Sequence, residues 1–189
     1  MQTIVIEWLH LEVGGATCER CGDTGQELRQ AAERGLHVVL YEMRPTGSTP
    51  AHLTGWLAEL VCSNSLGATQ IDRAQGLLKQ ELAQLGSMLL ECAEASAVPA
   101  GGALAVDRDA FAELVTGRIE SHPNIEVIRQ EMIEIPDAPV IVASGPLTSP
   151  ALSSALLALT GQEHLYFFDA IAPIVFAESV DFETAYKAS

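Results

Sequence analysis

The stretch Leu36-His37-Val38-Val39-Leu40-Tyr41 is a short apolar run rich in β-branched and aromatic residues, and it ends on an acid, Glu42. A helix-length segment, 26–34, precedes it, and Gly35 stands where a helix end favours a left-handed residue. Upstream, Thr3-Ile4-Val5-Ile6 reads as another short buried strand. Strand, loop, helix, strand is the unit of a parallel sheet, because a parallel neighbour can be reached only by a crossover. The alternation continues downstream. Strands are expected at Ile125 to Arg129, Val140 to Ala143 and Leu165 to Phe168. A long helix is expected from Gln70 to Ala95, with Ile71, Ala74, Leu78, Leu82, Leu85, Leu89 and Cys92 on one buried face. Asp107 or Asp109 would cap a helix through Phe111, Leu114, Val115 and Ile119, and Ser149 and Gly161 would bound another over Ala151 to Leu159. The pattern predicts an α/β layered domain with a mainly parallel sheet.

Composition narrows what such a domain does. Of 189 residues, 48% are hydrophobic, enough for a real core. No apolar run approaches the roughly 18 residues of a membrane span, and no basic segment precedes an apolar one at the N-terminus. A cytoplasmic protein without membrane partners is expected. Lys and Arg number 10 against 25 Asp and Glu, a net charge of −15, which argues against gripping nucleic acid unaided. Cys18, Cys21, Cys62 and Cys92 are the only cysteines, and without a secretory signal they predict no disulfide framework.

Three places carry chemistry. A carboxylate at the end of the second strand of a nucleotide-binding βαβ unit accepts hydrogen bonds from ribose hydroxyls, which suits Glu42; an exposed strand-end acid is the plain alternative. Val140-Ile141-Val142-Ala143-Ser144-Gly145 is a hydrophobic strand ending in a small residue and glycine, which lets backbone approach a ligand; a core strand ending in a turn reads the same way. Glu59-Leu60-Val61-Cys62-Ser63-Asn64-Ser65-Leu66 places a thiol before small polar residues, as a reactive cysteine in a polar loop or as a small buried hydrophobe.

From about Ala31 onward, longer blocks resemble one family. They are Leu40-Tyr41-Glu42-Met43-Arg44-Pro45, the Cys62 block, Val98-Pro99-Ala100-Gly101-Gly102-Ala103-Leu104-Ala105-Val106-Asp107-Arg108, and Gly145-Pro146-Leu147-Thr148-Ser149-Pro150-Ala151-Leu152. Phe168-Asp169-Ala170-Ile171-Ala172-Pro173-Ile174-Val175 also fits. This part is similar to the folate- and FAD-dependent tRNA (uracil-5-)-methyltransferases, relatives of the larger GidA flavoproteins. The resemblance implies a Rossmann-like FAD-binding domain in a cytoplasmic enzyme that methylates a T-loop uridine of tRNA. Methylenetetrahydrofolate would supply the methylene group, and NAD(P)H would regenerate reduced FAD. It further implies that Glu42 holds the adenosine ribose, with Arg44 near the cofactor and Gly145 by the pyrophosphate. Cys62 would be the thiol beside the flavin, Ser63 and Asn64 would shape that pocket, and Gln130 to Met132 would pass near the adenine.

Two departures stand out. The family opens with a strand running into G-x-G-x-x-G, whose glycines let backbone approach the pyrophosphate. Here Gly14-Gly15 lacks the third glycine, and 7–30 is about ten residues too long for the turn it replaces. The chain also has less than half the family's usual length, so tRNA contact is expected of the full-length family and not of this acidic segment alone. Residues 1–30, with Cys18-Glu19-Arg20-Cys21 after the first strand, instead resemble the start of small uncharacterised C-x-x-C proteins, thioredoxin-like in outline. Such a pair suits dithiol chemistry or half a zinc site, the dithiol ranking first and an inert remnant above both. The expectation is therefore an incomplete FAD-binding domain over 31–189 joined to a foreign 1–30, impaired or inactive alone. A thiol-redox or metal-binding module using Cys18 and Cys21, or a non-functional chimeric fragment, are the rivals.

Overall fold

The computed structural model of the chain describes residues 3–8 (backbone), 28–47, 52–61, 63–144 and 148–161. The expected strand at Leu165 to Phe168, the loop 10–24 and the terminal block 168–175 lie outside them.

Four strands form a parallel sheet in the order β6-β2-β1-β7: β1 (Thr3–Trp8), β2 (His37–Tyr41), β6 (Ile125–Ile128) and β7 (Val140–Ala143). β1 is central, pairing Thr3 with His37 on one side and Val5 with Val140 on the other. β2 pairs Val38 with Ile125 and so reaches the β6 edge. The helical residues 28–33 (α1) cross from β1 to β2, and Gly35 follows with φ +80°, the left-handed turn expected there.

Both faces of the sheet are covered, and β2 shows why by alternation. Val38 and Leu40 are buried against Leu28 and Ala32 of α1, together with residues of α3 (Met88–Ala95) and α4 (Arg108–Glu120). Val39 and Tyr41 point the other way, packing with Val140, Val142 and Met132 against Leu152 and Leu156 of α5 (Pro150–Thr160). Period-two alternation between two apolar layers produces the nearly unbroken hydrophobic strands of the sequence. α4 is capped by Asp107, whose carboxylate accepts from the backbone N–H groups of Asp109 and Ala110, and α5 by Ser149, which accepts from Leu152 N.

A second, antiparallel sheet lies in the crossover between β2 and β6. Its order is β3-β5-β4, from β3 (Ser65–Ala68), β4 (Ala97–Val98) and β5 (Ala103–Val106). It was not expected, because Ser65-Leu66-Gly67-Ala68 and Ala97-Val98 have neither the length nor the β-branched content of a recognisable strand.

The long helix expected over Gln70 to Ala95 is two helices, α2 (Ala74–Gln84) and α3. Gly86 takes φ +74° and ends the first; Ser87 caps the second by accepting from Leu90 N. The single buried stripe therefore does not exist. Ile71 and Leu85 are exposed, while Leu89 and Cys92, on α3, are buried. Leu114 of α4 is also exposed rather than in the core. The first turn of α2 packs so tightly on residues 69–70 that Gly76 has no room for a Cβ. Lys79 ties α2 to β3, donating to the carbonyls of Ala68 (3.0 Å) and Gln75 (3.3 Å). No helix among the described residues is long and apolar enough to cross a membrane.

Candidate functional site

In an open parallel sheet, ligands bind outside the carboxyl ends of the strands, where the strand order reverses. Here the chain builds outward from β1 to β2 and β6, then returns to place β7 on the other side of β1. The switch point is therefore the β1–β7 junction, and the residues just after β2, β6 and β7 form its rim.

Glu42 follows β2 directly, and its backbone N–H donates to Ile128 O at 3.0 Å, tying the ends of β2 and β6. Its side chain is fully buried. Arg44 grips it from one side: Nε donates to Oε1 at 2.9 Å and Nη2 to Oε2 at 2.8 Å. The Arg44 backbone N–H adds a further bond to Oε1, also at 2.9 Å. A carboxylate has about four acceptor positions, so one on Oε2 stays unfilled by these bonds. Arg44 is itself only 2% exposed, and its Nη1 donates to Glu59 Oε2 at 3.0 Å. Glu59 accepts in addition from Leu53 N (2.9 Å) and Thr54 N (3.1 Å). Burial alone pushes the Glu59 carboxyl up, but the backbone donors of Leu53 and Thr54, the Thr54 hydroxyl and the Arg44 charge together hold it below the ordinary carboxylate range.

The cluster is one guanidinium between two carboxylates, fastening the end of β2 to the 53–59 loop. The sequence singled out Glu42 and Arg44, and Glu59 only as the first residue of the Cys62 block, with no pairing assigned to it. Its partners are a side chain 15 residues away and the backbone N–H groups of Leu53 and Thr54, six and five residues back, a loop closure with no sequence motif of its own.

Other expected residues fall in different places. Met132 is buried in the smaller core beside Leu152, so its side chain serves packing and only backbone of its segment is left to meet a ligand. Ser63 and Asn64 lead into β3. Ser63 Oγ accepts from Ser65 N at 3.1 Å, and Asn64 Nδ2 donates to Val106 O at 2.9 Å, joining this turn to β5. At the end of β7, Ser144 is buried, with its Oγ 2.6 Å from Thr148 Oγ1, just before α5. Cys18, Cys21, Cys62 and Gly145 lie outside the described residues. Cys92 is buried in the main core, and burial pushes its thiol up, away from the reactive thiolate. Among the described residues no group of three or more His, Cys, Asp or Glu is placed to hold a metal ion.

For an adenosine-bearing cofactor the test is whether the rim offers an acceptor where a ribose would sit. Glu42 stands at the carboxyl end of β2, fully buried, and among the described residues one of its acceptor positions carries no bond after Arg44 is served. A carboxylate at that strand end is of the chemical type that holds the ribose of a dinucleotide.

A chain of Moorella thermoacetica described as methylenetetrahydrofolate--tRNA-(uracil-5-)-methyltransferase TrmFO is 60% identical over 161 residues, 85% of this chain and 37% of that protein. Its counterpart from Heliobacterium modesticaldum is 57% identical over the same shares. That from Desulforudis audaxviator is 56% identical over 178 residues, 93% of this chain and 40% of the relative. Coverage of 93% requires that alignment to run across Cys18 and Cys21. The chain thus spans about two-fifths of the length of these relatives. A profile described as domain of unknown function (DUF2703) matches residues 4–44, in keeping with the resemblance of the first segment to an uncharacterised C-x-x-C family. The profile described as Glucose inhibited division protein A matches residues 28–189, and the chain belongs to that family.

Proposed function

We propose that this chain is the N-terminal part of a methylenetetrahydrofolate- and FAD-dependent tRNA (uracil-5-)-methyltransferase, and that its own share is to bind the adenosine half of FAD. The observation that carries the reading is the Glu42 carboxylate at the end of β2, held by Arg44 with one acceptor to spare among the described residues. Glu42 would take a ribose hydroxyl, and Arg44 would hold that carboxylate still. Gly145 would lie by the pyrophosphate, backbone of 130–132 near the adenine, and Cys62, Ser63 and Asn64 about the flavin. When bound, FAD supplies the redox chemistry of methylene reduction. Methylenetetrahydrofolate, NAD(P)H and tRNA would be the co-substrates of the full-length enzyme in the cytoplasm. With a net charge of −15, this part would leave tRNA phosphates to the remaining length.

The division near residue 30 belongs to the same proposal. The opening segment provides β1, which the sheet requires, but not the glycine turn that brings backbone to a pyrophosphate. FAD affinity should therefore fall well below that of a chain with the glycines. Titrating the purified chain with FAD, followed by flavin fluorescence and by absorbance near roughly 450 nm, tests the reading. Saturable binding that Glu42→Ala weakens supports it; no binding with FAD in large excess overturns it for this chain and leaves a non-functional fragment. The DUF2703 match favours examining a second reading, a dithiol or metal module at Cys18 and Cys21. It predicts disulfide-reductase or zinc-binding signal lost in Cys18→Ser, and an unchanged signal refutes it.

A further inference from the structure

Glu42 and Arg44 are both buried, so the rim stands shut, and the 53–59 loop is part of what shuts it. Resting on the nucleotide reading above, we propose that residues 53–56 are a strap that must open to admit the nucleotide. Opening lifts Gly55 off Pro45 and Glu59 off Arg44, and uncovers the Glu42–Arg44 pair with its unfilled acceptor position.

The strap is held by polar ties rather than by packing. It has no buried side chain, and its two large apolar groups face solvent, Leu53 at 92% exposure and Trp56 at 42%. Glu59 accepts from Leu53 N and Thr54 N, and Arg129 Nη1 donates to Gly55 O at 2.7 Å. The first of these bonds is exposed and the other two are half-buried, so water can take the place of each. Gly55 rests on Pro45: a Cβ added at Gly55 would lie 3.8 Å from the Pro45 Cβ, which brings the strap onto the turn that carries Arg44. Glu59 completes the cover, since the carboxylate that ties the strap also accepts from Arg44 Nη1 at 3.0 Å. The two ends of the strap are fixed. His52 and Leu57 are buried, and Leu57 N donates to Thr116 Oγ1 of α4 at 2.9 Å in a buried bond. Beside Leu57, Ala58 is buried with φ +56°, the one non-glycine left-handed residue among the described residues. Its reversal of the chain sets the pivot between the fixed core and the tied strap. A segment that exposes no apolar core and breaks only accessible hydrogen bonds opens well below the cost of global unfolding.

Amide hydrogen exchange of the full chain, followed by NMR, and stopped-flow binding of FAD, followed by flavin fluorescence, test this together. In the wild-type chain Leu53 N and Thr54 N should exchange about tenfold or more faster than Leu57 N and Glu42 N, whose acceptors are Thr116 and Ile128. Removing a tie with Arg129→Ala or Glu59→Gln should speed exchange at Leu53 and Thr54 several-fold, while Val38 and Leu40 keep the wild-type rate and so report an intact sheet. FAD association should quicken by the same factor, because the open population has grown. Loss of a plain contact would instead quicken dissociation. Strap amides that exchange no faster than Leu57 N in the wild type overturn the strap. So do variants that leave exchange unchanged, or that raise it while FAD association stays the same or slows. No FAD binding to the wild type or to either variant overturns the strap's role together with the nucleotide reading.

Discussion

Gly76 and Gly117 both sit inside helices, yet replacing each with alanine should have opposite effects. Helix propensity favours alanine over glycine by about 1 kcal/mol, so both changes would stabilise if propensity decided alone. At Gly117 in α4, an added Cβ meets nothing within 4 Å, and the expected effect is a gain of up to about 1 kcal/mol. At Gly76 in α2, the Cβ would fall on the carbonyl oxygen of Gln70, with the carbonyl carbons of Gln70 and Thr69 at 2.5 and 2.8 Å. Those are backbone atoms, so no rotamer change relieves the clash. The 69–70 segment would have to slide, and it is tied by Thr69 N to Gly102 O (3.0 Å) and by Arg73 N to Gln70 O (3.0 Å). Overpacking of this kind costs about 1–3 kcal/mol, and each strained hydrogen bond adds about 1 kcal/mol. Net of propensity, Gly76→Ala should destabilise by about 2–3 kcal/mol, placing the two variants about 3–4 kcal/mol apart. Urea unfolding followed by circular dichroism, with unchanged slope, measures this through the midpoint. If Gly76→Ala is as stable as Gly117→Ala, the close packing of α2 on residues 69–70 is refuted.

Three further outcomes are expected. Because the folded Glu59 carboxyl titrates below its ordinary range, its contribution is present above that range and is lost as pH falls through the lowered folded value; the stability gap between wild type and Glu59→Gln should therefore close on acidification, and a gap that widens contradicts the cluster. Cys92 should resist iodoacetamide in the native chain and react on unfolding, as peptide mapping by mass spectrometry would show, since burial disfavours its thiolate. Asp107→Ala should cost about 1 kcal/mol in urea unfolding by removing the α4 cap, and Asp107→Asn should restore most of it.

The parallel sheet was legible because its strands are buried on both faces: Val38 to Tyr41 and Val140 to Ala143 are continuous apolar runs, and few other structures want them. The cap at Ser149, and that at Asp107 as one of two candidates with Asp109, were legible for a local reason, each side chain serving N–H groups two or three residues on. The antiparallel sheet was not, since β4 has two residues and β3 contains a glycine; neighbours across the chain hold them, not intrinsic preference. The break between α2 and α3 did carry a signal, Gly86-Ser87, a left-handed ender followed by a cap, and the apolar spacing across it outweighed that signal. At the candidate site, Glu42 could be placed from its strand alone. The full cluster could not, because Glu59 joins Arg44 from a loop 15 residues on.

The place of β1 bears on how the molecule assembles. β1 opens the chain but is flanked by β2 and β7, and pairing Val5 with Val140 closes a loop of about 135 residues. During synthesis β1 can meet β2 early, through the local connection by way of α1, and that β-α-β intermediate must then keep an unpaired strand edge while nearly all the intervening chain emerges. The edge closes only when Val140 to Ala143 arrive, so nascent chains stopped before that point present an open parallel edge, a natural binding surface for chaperones and a natural seed for aggregation.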